Sequence, residues 1–255
     1  MRLTILGCNG TYPTPGRPSS GYLIQTDATT LWLDCGTGTF AALQEHIDPN
    51  DLDAIIISHE HVDHCVDVLP FSYARRYGHP HLPAIPVYAP ASVPERLEAL
   101  IGRKGSAVFE ALDFHAVART TELRLGDLRV SFFAANHPVP TVAVRIAAER
   151  GTMVYTADTG VADGMAAWSE GADLMLAEAS YLGAPQDKPW QHHLTASEAG
   201  QLAAKANARR LVLTHLWPTN DPDRATQEAS AVFAGDVTAA TPGMIFELQE
   251  RHVTT

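Results

Sequence analysis

Short apolar runs, bounded by glycine, proline or small polar residues, recur along the chain and predict β-strands. The predicted strands cover residues 2–7, 21–26, 30–35, 53–58, 85–90, 128–135, 141–148, 152–158, 173–180, 210–215 and 243–249. Segments with helical spacing fall between some of these runs, at 38–47, 65–77, 92–102, 196–207 and 222–234. Strands interspersed with helices predict an α/β fold in which helices cover the sheets.

The segment that opens with "HLTASEAG" carries a signal for the start of a helix. Thr195 and Glu198 have the spacing of a capping box, in which each side chain accepts a hydrogen bond from a free backbone N–H at the helix start. The chain has no low-complexity linker and no short-period repeat. A single domain over residues 1–255 is therefore predicted.

The polar string "HEHVDH" follows directly on the apolar run of the fourth predicted strand. It supplies three imidazoles and a carboxylate, which are ligand types that suit Zn²⁺ and similar cations. His59 and His61 lie two positions apart in an extended segment and therefore point to the same side. Asp63 and His64 lie further along, and a helix is expected to begin beneath them near Cys65. A histidine-rich loop formed by chance is the alternative, but it does not explain why other strand ends repeat the pattern.

Three further polar residues follow apolar strands. His137 comes after the run "FFAA", Asp158 after "MVYTA" and His215 after "LVLT". A lone histidine at a strand end is more often structural than a ligand. Three potential ligands at three strand ends, together with "HEHVDH", predict one convergent site.

The charge balance and the cysteines limit the possible partners and compartments. Acidic residues outnumber basic ones by 29 to 18, which gives a formal net charge of −11. With no run of lysine or arginine, a long nucleic acid is an unfavourable partner. We expect neither a signal peptide nor a membrane span, because no apolar stretch is long enough. Cys8, Cys35 and Cys65 lack CxxC spacing, so they predict buried thiols and a reducing, cytoplasmic location.

The order and spacing of HxHxDH, a later His, an Asp and a final His resemble the metallo-β-lactamase fold superfamily. The strings "LWLDCGTGT", "LAEAS" and "HLTASEAG" are similar to segments of its ribonuclease Z branch. The resemblance implies a four-layer αβ/βα sandwich with two divalent metal ions in a groove between sheet ends. Asp158 and a hydroxide would bridge the two ions, and an Asp at this place argues against a β-lactamase, which usually has Cys. The implied ligands are His59, His61 and His137 for one ion and Asp63, His64 and His215 for the other.

The same resemblance implies catalytic roles for Asp63, Glu178 and His193. Glu178, His193 and Asp63 would form one group behind the metal ligands. His193 would contact the phosphate of the substrate or protonate the leaving oxygen. His192 is an alternative to its neighbour, although His193 opens the "HLTASEAG" match. A buried hydrogen-bonding anchor is the alternative role for Glu178. Zn²⁺ is the expected metal, and Mn²⁺ and Fe²⁺ accept the same ligands.

One departure from ribonuclease Z concerns its substrate. That branch carries a long arm that grips transfer RNA between its third histidine motif and its bridging aspartate. Here the interval from His137 to Asp158 spans 21 residues and is typical of a β-hairpin turning at 149–151. No arm fits in it, so precursor transfer RNA is disfavoured.

The strings "ILGCNGT", "PSSGYLI", "ARRYG" and "ADTG" are similar to a small group that includes the atypical class II cyclic-AMP phosphodiesterase of mycobacteria. The sequence therefore predicts a dinuclear metal-dependent phosphodiesterase for a small-molecule substrate, a 3′,5′-cyclic nucleotide, attacked by the metal-bridging hydroxide. A ribonuclease Z-like RNA 3′-end nuclease, a hydrolase of another small ester or lactone, and a metal-storing module without turnover are the alternatives. A homodimer is common in the resembling family and is a further expectation.

Overall fold

The computed structural model of the chain describes residues 1–79, 81–102 and 109–248. This part of the chain contains fourteen strands, and each predicted strand is among them. In chain order they are β1 (Arg2–Gly7), β2 (Gly21–Gln25), β3 (Thr30–Cys35), β4 (Ala54–Ile56), β5 (Ile85–Ala89), β6 (Leu112–Ala116), β7 (Glu122–Leu125), β8 (Leu128–Ala134), β9 (Val142–Ala148), β10 (Gly151–Tyr155), β11 (Leu174–Glu178), β12 (Arg210–Thr214), β13 (Asp236–Ala239) and β14 (Ile245–Glu247).

The strands form two seven-stranded sheets with the same general plan. The first has the order β14-β1-β2-β3-β4-β5-β6, in which β3 to β6 are parallel. The second has the order β13-β12-β11-β10-β9-β8-β7, in which β10 to β13 are parallel. Parallel strands bring their carboxyl ends to one edge of a sheet, where loops can carry ligands.

The two sheets pack face to face, and helices cover their outer faces. Buried side chains such as Leu3, Tyr22 and Val144 fill the space between the sheets. A second core around Trp32 lies under the helices of the first sheet, and a third around Leu213 lies under those of the second. The helices are α1 (Thr39–Leu43), α2 (Val62–Cys65), α3 (Val68–Tyr73), α4 (Ser92–Ile101), α5 (Met165–Trp168), α6 (Ala196–Lys205) and α7 (Pro222–Ser230). The predicted four-layer αβ/βα sandwich is confirmed.

Three strands, β6, β7 and β13, were not predicted from the sequence. Each lies at the edge of its sheet. A strand at an edge pairs on one side only and buries few side chains, so it does not need an apolar run. Only one residue of β6 is buried, and none of β7 or β13 is. The fourth edge strand, β14, contains Phe246 and was predicted.

The helix predicted over 65–77 was wrong in its start and its continuity. Helix α2 begins at Val62, α3 follows separately, and a π-helical turn covers Ala74–Gly78. The early start places Asp63 and His64 in the first turn of α2 rather than above a helix. These side chains face a polar centre, so the segment lacks the apolar period by which a helix is recognised.

The remaining helix predictions differ from the structure mainly in length. Helices α1 and α7 end four residues earlier than predicted, at Leu43 and Ser230, and the short α5 was missed. The capping box at the start of α6 is present, with Thr195 and Glu198 each accepting a backbone hydrogen bond. None of the helices in the described ranges is both long and apolar enough to cross a bilayer. The single domain over 1–255 stays a prediction, and residues 249–255 lie outside the described part.

Candidate metal centre

Strand β4 leads into the first candidate ligands. The chain stays in the sheet for one more residue, because the Ile57 amide donates to the Tyr88 carbonyl oxygen at 2.9 Å. The next residues leave the sheet edge and bring two imidazoles together. His59 Nε2 lies 3.0 Å from His61 Nδ1, so both rings point to one place, as their spacing predicted.

Three other strands deliver His137, Asp158 and His215 to the same place. His137 Nε2 lies 3.2 Å from His61 Nδ1. Asp158 Oδ1 lies 3.2 Å from His64 Nε2, and its Oδ2 lies 3.3 Å from His215 Nε2. Strand ends far apart in sequence therefore meet, and the Asp158 carboxylate lies between imidazoles from both sheets.

Asp63 completes a second group of candidate ligands. Its Oδ2 lies 3.3 Å from His215 Nε2 and 3.6 Å from His64 Nε2, and it accepts a hydrogen bond from the Thr11 amide at 2.8 Å. Three sets of side chains, the third of which shares one residue with each of the others, each place their ligand atoms within 4.8 Å of one another: His59, His61, His137 and Asp158; Asp63, His64 and His215; and Asp158, His193 and His215. The sets implied by the sequence resemblance lie together in space.

Four of the imidazoles are held at Nδ1, which turns Nε2 toward the centre. The partners at Nδ1 are Ser58 Oγ for His59 (3.0 Å), Asp34 Oδ2 for His64 (2.8 Å), the His192 carbonyl oxygen for His137 (3.3 Å) and Ser180 Oγ for His215 (2.9 Å). A carbonyl oxygen can only accept, so Nδ1 of His137 carries the proton and its Nε2 carries the lone pair. His61 is reversed and presents Nδ1. Metal-binding histidines are usually oriented by such partners.

Burial and neighbouring charges set the protonation of the candidate ligands. Burial lowers the pKa of His64, but two neighbouring carboxylates outweigh it and hold that pKa well above its usual range, so this imidazole carries a proton that a bound cation would replace. Burial lowers the pKa of His137 to about 4 and lowers the pKa of both His59 and His61. These imidazoles are therefore neutral at pH 7, the form that binds metals. Burial alone would raise the pKa of Asp63, but His64 beside it holds that pKa well below its usual range, so the carboxylate is ionised.

Two buried polar atoms that lack a hydrogen bond indicate whether the residues fit a metal ion. His64 Nε2 and Asp158 Oδ1 lie 3.2 Å apart without the geometry of a hydrogen bond, and neither atom has another hydrogen-bond partner among the described residues. Leaving a buried polar atom unpaired costs about 1–3 kcal/mol, which a cation bound between these atoms would offset. Imidazole nitrogens with a few carboxylate oxygens are the donor set of zinc sites. The residues fit a divalent metal site.

Glu178 and His193 lie directly behind the candidate ligands. Glu178 ends β11 and is fully buried, and its Oε1 lies 2.9 Å from His193 Nδ1. The same carboxylate accepts hydrogen bonds from the Thr159 amide at 2.7 Å and from Ser180 Oγ at 2.7 Å. The His193 ring stacks on the His215 ring with a centroid distance of 5.7 Å. Ser180 Oγ also lies 2.9 Å from His215 Nδ1, so one hydroxyl links the pair to a candidate ligand.

The environment of His193 favours its charged form. Burial lowers its pKa, but the Glu178 carboxylate more than offsets this effect and raises the pKa to about 9. His193 is therefore protonated at neutral pH. Since Nδ1 faces Glu178, Nε2 is the nitrogen left to donate a proton toward the centre.

The structure also gives His192 and His193 different positions relative to the centre. The His193 ring lies 5.2 Å from the His137 ring, whereas His192 contributes its backbone oxygen to orient His137. The sequence resemblance implied that Asp63 lies with Glu178 and His193. In the structure, Asp63 does not contact this pair. Its described contacts are with Thr11, His64 and His215, on the other side of the centre.

Asp34 is the main residue of the site that the sequence analysis missed. Its fully buried carboxylate accepts hydrogen bonds from the Ser58 amide at 2.7 Å and the Ser58 hydroxyl at 2.8 Å. It also contacts His64 Nδ1 and the Tyr155 hydroxyl, both at 2.8 Å. The signal was present, because a lone aspartate inside the apolar run "LWLDC" needs buried partners. Ser58, Ser180 and Thr11 gave no comparable signal.

Left-handed backbone conformations occur where the strands leave the sheets for the site. Asp34, Ala157 and His215 have φ values of 55°, 53° and 53°. Each costs a non-glycine residue about 1–2 kcal/mol relative to ordinary conformations. Such outliers collect at functional sites, where the surrounding packing holds them. Ala157 and His215 lie where β10 and β12 lead into candidate ligands, and Asp34 lies at the end of β3, where it contacts His64.

A family comparison agrees with this geometry. Residues 29–216 match the family model described as a β-lactamase superfamily domain. The chain belongs to the β-lactamase superfamily. The matched residues include all candidate ligands, and membership in this metallo-hydrolase family makes the protein a metal-dependent hydrolase.

Similar superfamily members extend over almost the whole chain. The probable metallo-hydrolase YhfI of Bacillus subtilis is 32% identical over 97% of this chain and all of its own length. A crystal structure of YhfI superposes with a TM-score of 0.86, covering 96% of this chain and 98% of that one. The uncharacterized protein ML1173 of Mycobacterium leprae is 36% identical, over 98% of this chain and 89% of its own. Ribonuclease Z of Methanopyrus kandleri is 28% identical, over 91% and 92% respectively.

Proposed function

We propose that the chain is a dinuclear metal-dependent phosphodiesterase for a small phosphodiester, with a 3′,5′-cyclic nucleotide as its substrate. One observation carries this proposal. His193, whose Nδ1 lies 2.9 Å from Glu178 Oε1, lines the same cavity as a cluster of metal-ligand side chains. Phosphodiester hydrolysis needs both charge stabilisation at phosphate and a proton for the leaving oxygen, and this arrangement offers both.

Two groups of side chains would hold the metal ions. When bound, two divalent cations lower the pKa of water and offset the negative charge that develops on phosphate. The proposed ligands are His59, His61 and His137 for one ion, Asp63, His64 and His215 for the other, and Asp158 for both. Zn²⁺ is the proposed metal, and Mn²⁺ and Fe²⁺ are alternatives because imidazole and carboxylate ligands suit all three.

His193 is the proposed proton donor. A water molecule releases one proton to solvent while its oxygen forms the new bond to phosphorus, and the bond from phosphorus to the ribose 3′ oxygen breaks. The proton on His193 Nε2 passes to the departing oxygen, which leaves as a hydroxyl. Glu178 acts on the reaction through His193, because it keeps the imidazole charged and fixes its ring.

The length of one connection supports a small substrate. Strands β9 and β10 fill the interval between His137 and Asp158 as a hairpin whose ends pair Ala148 with Gly151. The predicted hairpin is confirmed, and the interval contains no arm that could hold transfer RNA. The net charge of −11 also opposes a long polyanion.

An RNA 3′-end nuclease is the second candidate, because one relative that matches most of the chain is named ribonuclease Z. The same metal ligands would also serve a hydrolase of another small ester or lactone. A metal-storing module is the alternative without turnover. The homodimer and the cytoplasmic location stay predictions.

A substrate panel separates these candidates. Zinc-loaded protein would be given 3′,5′-cyclic AMP, a 3′-extended RNA and a simple lactone, each with and without a chelator. The proposal expects chelator-sensitive conversion of cyclic AMP to 5′-AMP that exceeds the turnover of the other two. Faster trimming of the RNA, with an affinity that falls steeply with salt, would favour the nuclease.

A further inference from the structure

A cavity of about 470 Å³ opens in front of the candidate metal centre. Four candidate ligands, His193 and Thr11 form one part of its lining, and apolar side chains form the other. The apolar part consists of Val62, Tyr181, Pro189, Trp190 and Trp217. A cavity of this size and make-up is typical of a site for one small molecule.

Two tryptophans dominate the apolar part of the cavity. Trp217 packs against Tyr181 with ring centroids 5.1 Å apart, which fixes one wall. Trp190 lies in the connection between β11 and α6, and 62% of its surface is exposed. Such exposure of a large aromatic ring is unfavourable in water, so the ring is available to a ligand.

The connection that carries Trp190 is anchored close to it. Lys188 is buried, and its ammonium group donates to the His193 carbonyl oxygen at 2.9 Å and to Glu198 Oε2 at 2.7 Å. Glu198 in turn belongs to the capping box of α6. The position of Trp190 is therefore tied to the same segment that positions His193.

The charges around the cavity restrict what can occupy it. Among the described residues, no lysine or arginine lines the cavity. Only the metal centre and His193 can therefore bind a negatively charged group of the ligand, so the cavity accommodates a single phosphate beside them. The rest of the ligand must be uncharged, and flat aromatic walls favour a planar ring. A second phosphate or a longer nucleic-acid chain would find no cationic partner.

We propose that Trp190 and Trp217 form the binding wall for a planar heterocyclic base attached to the phosphodiester, and so determine specificity. This inference rests on the proposed phosphodiesterase function. Stacking on an aromatic side chain tolerates every base, because each has a π face. The wall therefore selects nucleotides over phosphodiesters without a base, and selects weakly between bases.

The test compares two substrates that differ only by the base. One is 3′,5′-cyclic AMP, and the other is the cyclic phosphate of 1-O-methyl ribose. Three variants would be assayed after zinc loading: Trp190→Ala, Trp190→Phe, which keeps a ring, and Tyr77→Ala. Tyr77 is the matched control, because it is an aromatic residue with 64% exposure that does not line the cavity. Binding of the product 5′-AMP, followed by calorimetry, gives a readout that does not depend on turnover.

Trp190→Ala is expected to raise KM for cyclic AMP about tenfold with kcat nearly unchanged, because stacking acts on ground state and transition state alike. The same variant should weaken 5′-AMP binding about tenfold and leave the base-free substrate unaffected. Trp190→Phe should recover most of the loss, and Tyr77→Ala should resemble the wild type.

Two results would overturn the inference. The first rejects only the aromatic wall, and the second also rejects the proposed phosphodiesterase function. If the wild type hydrolyses both substrates equally well, or Trp190→Ala changes neither KM nor 5′-AMP binding, the wall does not contact the base. The phosphodiesterase function would then stand alone. If zinc-loaded wild type hydrolyses neither substrate, the proposed function fails together with the inference.

Discussion

Glu178 Oε1 lies 2.9 Å from His193 Nδ1, and the carboxylate has no exposed surface. A buried carboxylate that touches one nitrogen of an imidazole fixes both the charge and the orientation of the ring. In the proposed function, the other nitrogen would exchange a proton with substrate. This relationship leads to the first prediction.

Glu178→Gln should move the alkaline limit of activity to lower pH. Burial lowers the pKa of His193, but Glu178 more than offsets this and raises it to about 9. A proton donor is active only while protonated, so kcat of the wild type should fall as the pH rises through that pKa. Glutamine keeps the shape and removes the charge, so the pKa of His193 falls and activity is lost earlier. The measurement is kcat from neutral to alkaline pH, and an unchanged alkaline limit would contradict the role of Glu178.

Asp34→Asn should weaken metal binding about 10- to 100-fold, because Asp34 orients the candidate ligand His64. Asparagine presents an amide group where the carboxylate accepts hydrogen bonds from Ser58 and Tyr155. The measurement is zinc affinity by competition with a chromogenic chelator. Asp53→Asn is the matched control, since Asp53 is exposed and accepts one backbone hydrogen bond from Thr30. Equal affinities for the two variants would reject the positioning role.

Asp63→Ala should reduce turnover at least about 100-fold while the protein stays folded. Its carboxylate contacts His215 and His64 at the centre, and its contribution to the fold is limited to the hydrogen bond from Thr11. Turnover and thermal unfolding would be measured on the same preparation. A near-normal rate in this variant would show that the second group of ligands is not used.

The three cysteines should resist alkylation in the folded protein. Burial raises the pKa of Cys8 from 9.0 to about 12, and it also raises the pKa of Cys35 and Cys65. The thiolate is the reactive form, so little reaction with a thiol reagent is expected near pH 8, in contrast to the unfolded chain. Since these pKa values are raised on folding, the thiols also make the protein less stable as the pH rises above about 9. Rapid labelling of native protein would contradict their burial.

The sequence predicted the parts of the fold that bury a regular pattern. Strand β4 and the central residues of β12 are apolar because both faces of each strand are covered, and a continuous apolar run is easy to recognise. The edge strands β6, β7 and β13 were missed for the opposite reason, because they bury few side chains. The start of α2 was predicted too late because its residues Asp63 and His64 face the candidate metal centre rather than an apolar core.

The candidate ligands were predictable because each combines a metal-binding group with a strand end. The residues that orient them were not, since Ser58 and Ser180 act through single hydroxyl groups that have no periodicity and no unusual charge. Their role depends on which backbone lies beside them in space. The choice between His192 and His193 likewise needed the structure, because two adjacent histidines differ only in the direction of their side chains.

A titration of metal-free protein with Zn²⁺, with conversion of 3′,5′-cyclic AMP to 5′-AMP followed at each step, tests most directly whether two metal ions are required. The prediction is that turnover is absent without metal and rises to completion only when the second ion per chain is bound. Turnover of the metal-free protein in the presence of a chelator would contradict it.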